Sequence, residues 1–314
     1  MNDPTVAPTT VVITGATAGL GRAVATRVAA LGHTVVVPAR DSARGTATVR
    51  ALGAGAVTLP LDLADLGSVH AFPALLAEAG LPPLGAIVAN AGAQFTDRTH
   101  VSADGYEATF ATNHLGHFAL LLGLLPALTA DGRIVIVGSG THKAQRVRNF
   151  GFPPPRWDRP EALAQPGAGS GQVAYATSKL ANVATALELR RRLPVLHPDA
   201  HIAVHTFDPG LMSDTDLSRD YPAPVRRAYV AATPLISRLI PGATTAAASA
   251  AELARLAFDP THPGRDIELT RDGRPSAQAQ DPELGRELWE GSVALVSAAR
   301  RGSPAPPART APAR

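Results

Sequence analysis

The sequence predicts a single α/β domain built on a doubly wound, parallel β-sheet with helices on both faces. Short β-branched runs alternate with segments of helical spacing along most of the 314 residues, a pattern typical of βαβ units. No linker or change of composition marks a midpoint, so we expect one domain over residues 9–301 after an N-terminal extension of residues 1–8. Hydrophobic residues make up 45% of the chain, which is enough for a large core.

The predicted elements follow in chain order. The strands are Val11–Ile13, Thr34–Val37, Ala56–Leu59, Leu84–Ala89, Arg133–Val137, His201–Phe207 and Asp266–Thr270. The helices are Arg22–Leu31, Ala43–Leu52, Asp65–Glu78, Asp104–Leu128, Ala174–Leu193, Ala243–Phe258 and Pro282–Ala299. Two segments fall outside this alternation. One is the long, proline-punctuated stretch Ser139–Val173, and the other is residues 302–314, whose Pro/Ala/Arg composition predicts disorder.

Composition excludes several classes of function. The chain has no cysteine, which rules out disulfides, cysteine-ligated zinc and thiol catalysis and fits a reducing cytoplasm. No signal peptide is visible, and the longest apolar stretch, Phe118–Leu128, contains Pro126 and is too short to span a bilayer. All but two of the 29 basic residues are arginine, without alternating aromatic residues. We therefore expect neither a nucleic-acid partner nor a membrane span.

A glycine-rich turn follows the first strand. The run Thr14-Gly15-Ala16-Thr17-Ala18-Gly19-Leu20-Gly21 stands between a strand and a helix, the context in which glycine motifs bind dinucleotides. Gly15 can adopt a tight turn, and Gly19 and Gly21 let the backbone approach a pyrophosphate. The helix N-terminus offers unpaired N–H groups and a positive dipole end to the phosphates. Taken alone, the run is equally compatible with an ordinary turn.

A tyrosine and a lysine, Tyr175 and Lys179, share one face at the start of a predicted helix. A phenol has an unperturbed pKa of about 10, and a nearby ammonium lowers that pKa by stabilising the phenolate. The chain has only four tyrosines and two lysines, so this spacing is expected by chance only about 0.03 times. An exposed surface pair is the alternative interpretation.

Other polar residues stand at strand ends or inside a helix. Ser139 follows the fifth strand and Asn90-Ala91-Gly92 closes the fourth, at the carboxyl ends where such sheets bind ligands. Asn113 lies within a predicted helix, where asparagine is unfavourable, and this indicates a buried polar role. His114 and His117 have no acidic partner at ligand spacing, so we expect ordinary packed or exposed histidines and no metal site.

Together these motifs resemble the short-chain dehydrogenase/reductase superfamily, over about residues 9–300. The matching positions are Thr14, Gly15, Gly19, Gly21, Asp62-Leu63, Asn90-Ala91-Gly92, Asn113, Ser139, Tyr175, Lys179 and Pro209-Gly210. The strings Asn113–Phe118 and Asp281–Trp289 are similar to the branch of retinol dehydrogenases and protochlorophyllide reductases.

The resemblance implies a Rossmann-type fold and a nicotinamide cofactor. It implies that Tyr175 is the general acid/base, that Lys179 lowers its pKa and holds the nicotinamide ribose, and that Ser139 polarises the substrate carbonyl. It also implies that Asn113 holds a water of the proton relay. The implied cofactor-binding residues are Gly15, Thr17, Gly19, Leu20, Gly21, Asp62, Leu63, Asn90, Ala91, Gly92, Tyr175, Lys179, Pro209 and Gly210.

The chain departs from the family pattern in two places. Ser139 and Tyr175 are farther apart than in the family core, so Ser139–Val173 carries an insertion that we expect at the substrate entrance. The family usually has a threonine five residues after the proline of Pro209-Gly210. Asp214 stands there instead and Thr215 follows, which leaves the cofactor contact of this loop open.

The end of the second strand predicts NADP(H) rather than NAD(H). An NAD site places a carboxylate here for the ribose hydroxyls, whereas this chain has Ala39 followed by Arg40. An arginine can bind a 2′-phosphate through charge-assisted hydrogen bonds, and Arg44 can assist it. A surface arginine at a helix start is the alternative interpretation.

These observations predict an NADP(H)-dependent carbonyl reductase or alcohol dehydrogenase in the cytoplasm. A bulky, apolar substrate is expected, because Phe150, Phe152 and Trp157 of the insertion and the apolar residues of the probable substrate loop, residues 209–241, would line its pocket. The alternative interpretation is that these side chains bury one another or form an oligomer interface.

The sequence leaves two other functions and an oligomer as alternatives. A sensor or scaffold that binds the cofactor without catalysis would not need Ser139, Tyr175, Lys179 and Asn113 together. Pigment reduction of the protochlorophyllide type uses an active-site cysteine, which this chain lacks. A homodimer or tetramer would use the helices Asp104–Leu128 and Ala174–Leu193, as is usual in the family.

Overall fold

The computed structural model describes residues 8–144, 152–210, 246–258 and 264–300. The strands are β1 (Thr10–Ile13), β2 (Thr34–Ala39), β3 (Ala56–Pro60), β4 (Leu84–Ala89), β5 (Leu128–Val137), β6 (Ala203–Asp208), β7 (Asp266–Glu268) and β8 (Arg271–Asp272). They form one sheet in the order β3-β2-β1-β4-β5-β6-β7-β8. Strands β1 to β7 are parallel and β8 is antiparallel to β7. The strand order reverses between β1 and β4, which is the switch point at which such sheets bind ligands.

Helices cover both faces of the sheet, and the predicted fold class is confirmed. They are α1 (Gly19–Ala30), α2 (Ser42–Leu52), α3 (Leu66–Glu78), α4 (Ala108–Phe110), α5 (Gly116–Leu124), α6 (Pro160–Leu163), α7 (Gly171–Leu196), α8 (Ala246–Leu256), α9 (Ala277–Gln280) and α10 (Pro282–Arg300). Asp41, Asp65 and Ser170 begin α2, α3 and α7, because their side chains accept hydrogen bonds from N–H groups of the first turn.

The sheet separates two apolar layers. Val12 and Ile134 pack with α3, α5, α7 and α10, whereas their strand neighbours Val11 and Val135 pack with α1 and α8. All four side chains are completely buried, because successive residues of a strand point to opposite faces. Burial on both faces explains why the central strands are continuous runs of valine and isoleucine.

The structure corrects the predicted helix Asp104–Leu128. The helix begins at Ala108, because the Glu107 carboxylate accepts hydrogen bonds from two N–H groups of the first turn, at 3.1 and 2.7 Å. It passes through a π-turn, Ala111–Leu115, into α5 and ends in a short 3-10 turn that contains Pro126. Proline has no N–H group with which to continue a helix.

By length and composition the stretch Ala108–Ala127 could cross a membrane, but 83% of its apolar window is buried inside the protein. It packs as a core helix against the sheet, which accounts for its hydropathy.

Candidate active site

The glycine turn connects β1 to α1 at the switch point. Gly15 and Gly19 have φ values of +70° and +51°, a left-handed conformation that glycine adopts without strain. Gly21 packs so closely that a Cβ atom would lie 2.6 Å from Asn90 Nδ2. Ala18 precedes α1, and its methyl side chain cannot accept a hydrogen bond from the first turn, unlike the aspartates that begin α2 and α3. The first N–H groups of α1 can therefore bind an anion such as a pyrophosphate.

The other predicted residues of this turn differ in exposure. Thr17 is half-buried on the turn. The Leu20 side chain is buried in the core layer of α1, so only its backbone can contact a cofactor.

The turn after β4 is joined to the glycine turn by Thr14. Its Oγ1 accepts hydrogen bonds from the backbone N–H groups of Asn90 and Ala91, both at 2.9 Å. Asn90 Nδ2 donates in return to the Thr14 carbonyl at 2.9 Å. Gly92 follows, and a Cβ atom on it would lie 3.7 Å from Lys179 Nζ. This turn therefore lies directly beside the Lys179 ammonium.

Asn113 is completely buried in the π-turn. Its Nδ2 donates to the Ala93 carbonyl at 2.9 Å and to Ser178 Oγ at 3.0 Å, and its Oδ1 accepts from the Ala93 N–H at 2.7 Å. The side chain thus connects the turn after β4 to Ser178 of α7, the residue before Lys179. The water contact implied by the family stays a prediction.

Tyr175 and Ser139 meet at the carboxyl end of β5, where their side chains are hydrogen-bonded. Ser139 Oγ also accepts from the N–H of Thr141 at 3.3 Å. Burial raises the pKa of the Tyr175 phenol well above its ordinary value, although the hydrogen bond from Ser139 acts in the opposite direction. The phenol is therefore protonated at neutral pH and can donate its proton.

Lys179 lies one helical turn after Tyr175, with its Nζ 5.7 Å from the centre of the phenol ring. The ammonium is buried and donates to the Val137 carbonyl at 3.0 Å. Burial lowers the pKa of Lys179 to about 8, and the Asp208 carboxylate opposes this shift. We expected Lys179 to lower the pKa of Tyr175, but in the protein alone the effect of burial dominates.

Asp208 is a buried carboxyl group beside this site that no sequence motif predicted. It ends β6, and its Oδ1 accepts from the N–H of Gly210 at 2.9 Å, which supports the positive φ of +73° at Gly210. Pro209 between them is buried. Burial raises the pKa of Asp208, and the hydrogen bond from Gly210 opposes this. A charged residue at the end of an apolar strand is the signal that could have revealed it.

Arg40 directly follows β2, and its side chain is 72% exposed. Its Nη1 lies 3.9 Å from Asp62 Oδ2, so the arginine predicted to bind the 2′-phosphate is a neighbour of an implied cofactor-binding residue. Asp41 caps α2 by accepting from N–H groups at 2.9 and 3.1 Å. The Leu63 side chain is packed in the core, so only its backbone can contact an adenine ring.

The insertion contacts Tyr175 through Phe152. The Phe152 ring lies edge-on to the Tyr175 ring, with centres 5.9 Å apart and an interplanar angle of 67°. Trp157 packs partly against the core and donates from Nε1 to Glu287 of α10 at 3.3 Å. Trp157 therefore anchors the insertion, contrary to our expectation that it lines a pocket. Phe150, the loop residues 211–241 with Asp214 and Thr215, and residues 302–314 lie outside the described residues.

Of the packed and exposed alternatives, the structure shows that both histidines, His114 and His117, are packed in the interior. Burial lowers the pKa of His114 to about 3 and that of His117 to about 4. Within the part of the chain that the structure describes, no group of three potential metal ligands occurs.

Known proteins resemble this chain in sequence. Residues 9–150 match the family model described as short chain dehydrogenase. Polyprenol dehydrogenase from Mus musculus is 37% identical over 301 residues, which cover 91% of this chain and 83% of that protein. Retinol dehydrogenase 14 from Mus musculus is 37% identical over 69% of this chain and 64% of its own length. Protochlorophyllide reductase A from Oryza sativa subsp. japonica is 32% identical over 91% of this chain and 80% of its own length.

The geometry fits the cofactor of this family. Three features leave room for a dinucleotide along the switch point. The N-terminus of α1 is uncapped, the glycines beside it are left-handed, and Gly92 has no side chain to fill the space next to Lys179. The side chains of Ser139, Tyr175 and Lys179 lie close together in the same site. The chain therefore belongs to the short-chain dehydrogenase family and is an oxidoreductase built to bind a nicotinamide cofactor.

Proposed function

We propose that this protein is an NADP(H)-dependent oxidoreductase that interconverts a carbonyl and an alcohol on a bulky, apolar substrate. The observation that carries this proposal is the hydrogen-bonded pair of Ser139 and Tyr175 beside the buried ammonium of Lys179. Two hydroxyl groups that meet at one point can both donate to a carbonyl oxygen.

The chemistry follows from the state of these side chains. The bound nicotinamide would supply or accept the hydride. Tyr175 enters reduction protonated and gives its proton to the oxygen of the forming alcohol. Ser139 donates a second hydrogen bond to that oxygen and stabilises the charge that develops on it. Lys179 has three N–H donors, of which the Val137 carbonyl takes one. The others can hold the ribose and supply positive charge near the phenol.

The preference for NADP(H) is supported by the end of β2. Ala39 offers no carboxylate to ribose hydroxyls, and the Asp41 carboxylate is engaged in capping α2. Arg40 is exposed, and its ion pair with Asp62 is long at 3.9 Å. Its guanidinium can therefore turn to a 2′-phosphate without breaking a strong contact.

The preference for an apolar substrate is supported by Phe152 and by two relatives. Phe152 places an aromatic edge against the catalytic phenol, and apolar walls with few polar groups favour apolar ligands. The names of polyprenol dehydrogenase and retinol dehydrogenase 14 describe enzymes that act on large, apolar alcohols.

A substrate panel tests this proposal. NADPH absorbance is followed with aldehydes and ketones matched in carbonyl reactivity, from small polar aldehydes to long-chain prenyl aldehydes, and NADP⁺ reduction is followed with the matching alcohols. We expect kcat/KM to rise with apolar size and to be higher with NADPH than with NADH. Binding of NADPH without turnover of any member of the panel would favour the sensor or scaffold function instead.

A further inference from the structure

His117 bridges the glycine turn and the π-turn in the interior of the protein. Its Nδ1 lies 3.0 Å from the Asn113 carbonyl oxygen and its Nε2 lies 2.9 Å from Thr14 Oγ1. A carbonyl only accepts, so Nδ1 carries the proton. Burial, together with the positive charge of Lys179, lowers the pKa of His117 to about 4. The ring is therefore neutral, and Nε2 accepts the hydroxyl proton of Thr14.

This assignment uses the full hydrogen-bonding capacity of the Thr14 hydroxyl. Its oxygen accepts from the N–H groups of Asn90 and Ala91, both at 2.9 Å, and its proton goes to His117. Another acceptor, the Val88 carbonyl, lies 3.4 Å from Oγ1. If His117 did not accept the proton, the hydroxyl would turn towards Val88, and its lone pairs would turn away from the two N–H groups.

The turn of residues 90–93 is held at both ends by residues that His117 contacts. Thr14 holds its start, and the Asn113 side chain holds its end through Ala93 at 2.7 and 2.9 Å. Gly92, between these two contacts, faces Lys179. A shift at either end would therefore move the turn beside the catalytic lysine.

We propose that His117 is a positioning residue of the cofactor site, which fixes the Thr14 hydroxyl and the Asn113 carbonyl and so holds the turn of residues 90–93 in the form that receives the nicotinamide end. This inference rests on the cofactor site described above but not on the choice of substrate. His117 touches neither substrate nor cofactor and acts through Thr14 and Asn113.

The test compares two buried histidines one helical turn apart. In His117→Leu, we expect the dissociation constants for NADPH and NADH to rise about tenfold, because the Thr14 hydroxyl would turn to the Val88 carbonyl and weaken its hydrogen bonds from the N–H groups of Asn90 and Ala91. His117→Gln keeps one donor and one acceptor and should recover part of this loss. His114→Leu is the matched control, since His114 is equally buried but bonds to Ser292 of α10 at 2.8 Å. It should lower the melting temperature without changing either dissociation constant.

A double variant tests whether His117 acts on cofactor binding through Thr14. Because His117 acts partly through Thr14, Thr14→Val combined with His117→Leu should weaken cofactor binding less than the sum of the two single effects. If the leucine variant does not fold, His117→Asn, which is too short to reach Thr14, carries the same expectation.

Three results would overturn the inference. They are wild-type affinity in His117→Leu, an equal loss in His114→Leu, and full additivity with Thr14→Val. Failure of the wild-type protein to bind either NADPH or NADH would instead overturn the cofactor site itself, and the inference with it. Normal cofactor binding with no turnover would contradict only the proposed function.

Discussion

Tyr175, Ser139 and Lys179 share one site, but their surroundings act differently on their protons. Burial keeps the phenol protonated, whereas burial of the ammonium lowers the pKa of Lys179 to about 8. Both shifts have the same physical cause, the cost of a charge in a dry environment. The lysine is therefore the group whose charge changes near physiological pH.

The first prediction concerns this lysine. Lys179 is charged below its pKa, so cofactor affinity should be highest at neutral pH and fall as pH rises through about 8. The dissociation constant of NADPH is measured by fluorescence from pH 6.5 to pH 9.5. Lys179→Met should bind more weakly and lose this dependence, and an equally steep fall in that variant would show that another group titrates.

The second prediction concerns Arg40. Arg40→Asp should weaken NADPH binding by about 1–3 kcal/mol, the scale of a hydrogen bond between charged groups, and should leave NADH binding nearly unchanged. Arg50→Asp on the exposed surface of α2 is a control for net charge. Equal dissociation constants for NADPH and NADH in the unmodified protein would contradict the assignment of Arg40.

At the scale of elements, the sequence predicted those strands, helices and turns that depend on patterns of neighbouring residues. Most buried strands and helices and the glycine turn are local patterns, and they were found close to their predicted bounds, although β5 begins at Leu128 and not at Arg133. The link between Thr14 and His117 joins residues 103 positions apart, and no local pattern reveals such a pair. The π-turn escaped prediction because no proline or glycine marks its start. Asp208 was missed because the sequence does not show that neighbouring elements bury it.

The third prediction concerns the stability of the protein at low pH, which depends on His114 in the π-turn. Burial lowers the pKa of His114 to about 3, from the ordinary histidine value of 6.5. Between these values the unfolded chain binds a proton that the folded protein does not, so the free energy of unfolding falls as pH decreases. One such group contributes at most about 1.4 kcal/mol per pH unit.

Denaturant unfolding from pH 7 to pH 4.5 measures this contribution. His114→Leu should be less stable at pH 7 and should lose stability less steeply as pH decreases. The exposed His201→Leu should keep the wild-type slope. A wild-type slope in His114→Leu would contradict the prediction.

At the scale of the whole molecule, α10 packs along the helices that an oligomer would use. Trp289 of α10 lies edge-on to Phe118 of α5, with ring centres 5.0 Å apart, and the Tyr106 hydroxyl donates to the Leu295 carbonyl at 3.0 Å. Residues 174–186 of α7 are buried without interruption. The predicted oligomer interface is therefore largely covered by the chain itself.

The fourth prediction is that the protein is a monomer in solution. Light scattering after size exclusion should give the chain mass of 32.3 kDa over a wide concentration range, because the buried residues 174–186 of α7 leave little apolar surface to bury between copies. A dimer mass that does not change on dilution would show that another surface associates.

The central claim, that Tyr175 is the proton donor in carbonyl reduction, is tested most directly by Tyr175→Phe. Phenylalanine keeps the ring that packs against Phe152 and removes only the hydroxyl. With a substrate found by the panel, kcat should fall by about 10²–10⁴-fold, the scale of general acid catalysis, while the NADPH dissociation constant stays within about twofold, well under the tenfold that 1.4 kcal/mol represents. A variant that retains most of the wild-type kcat would contradict the account.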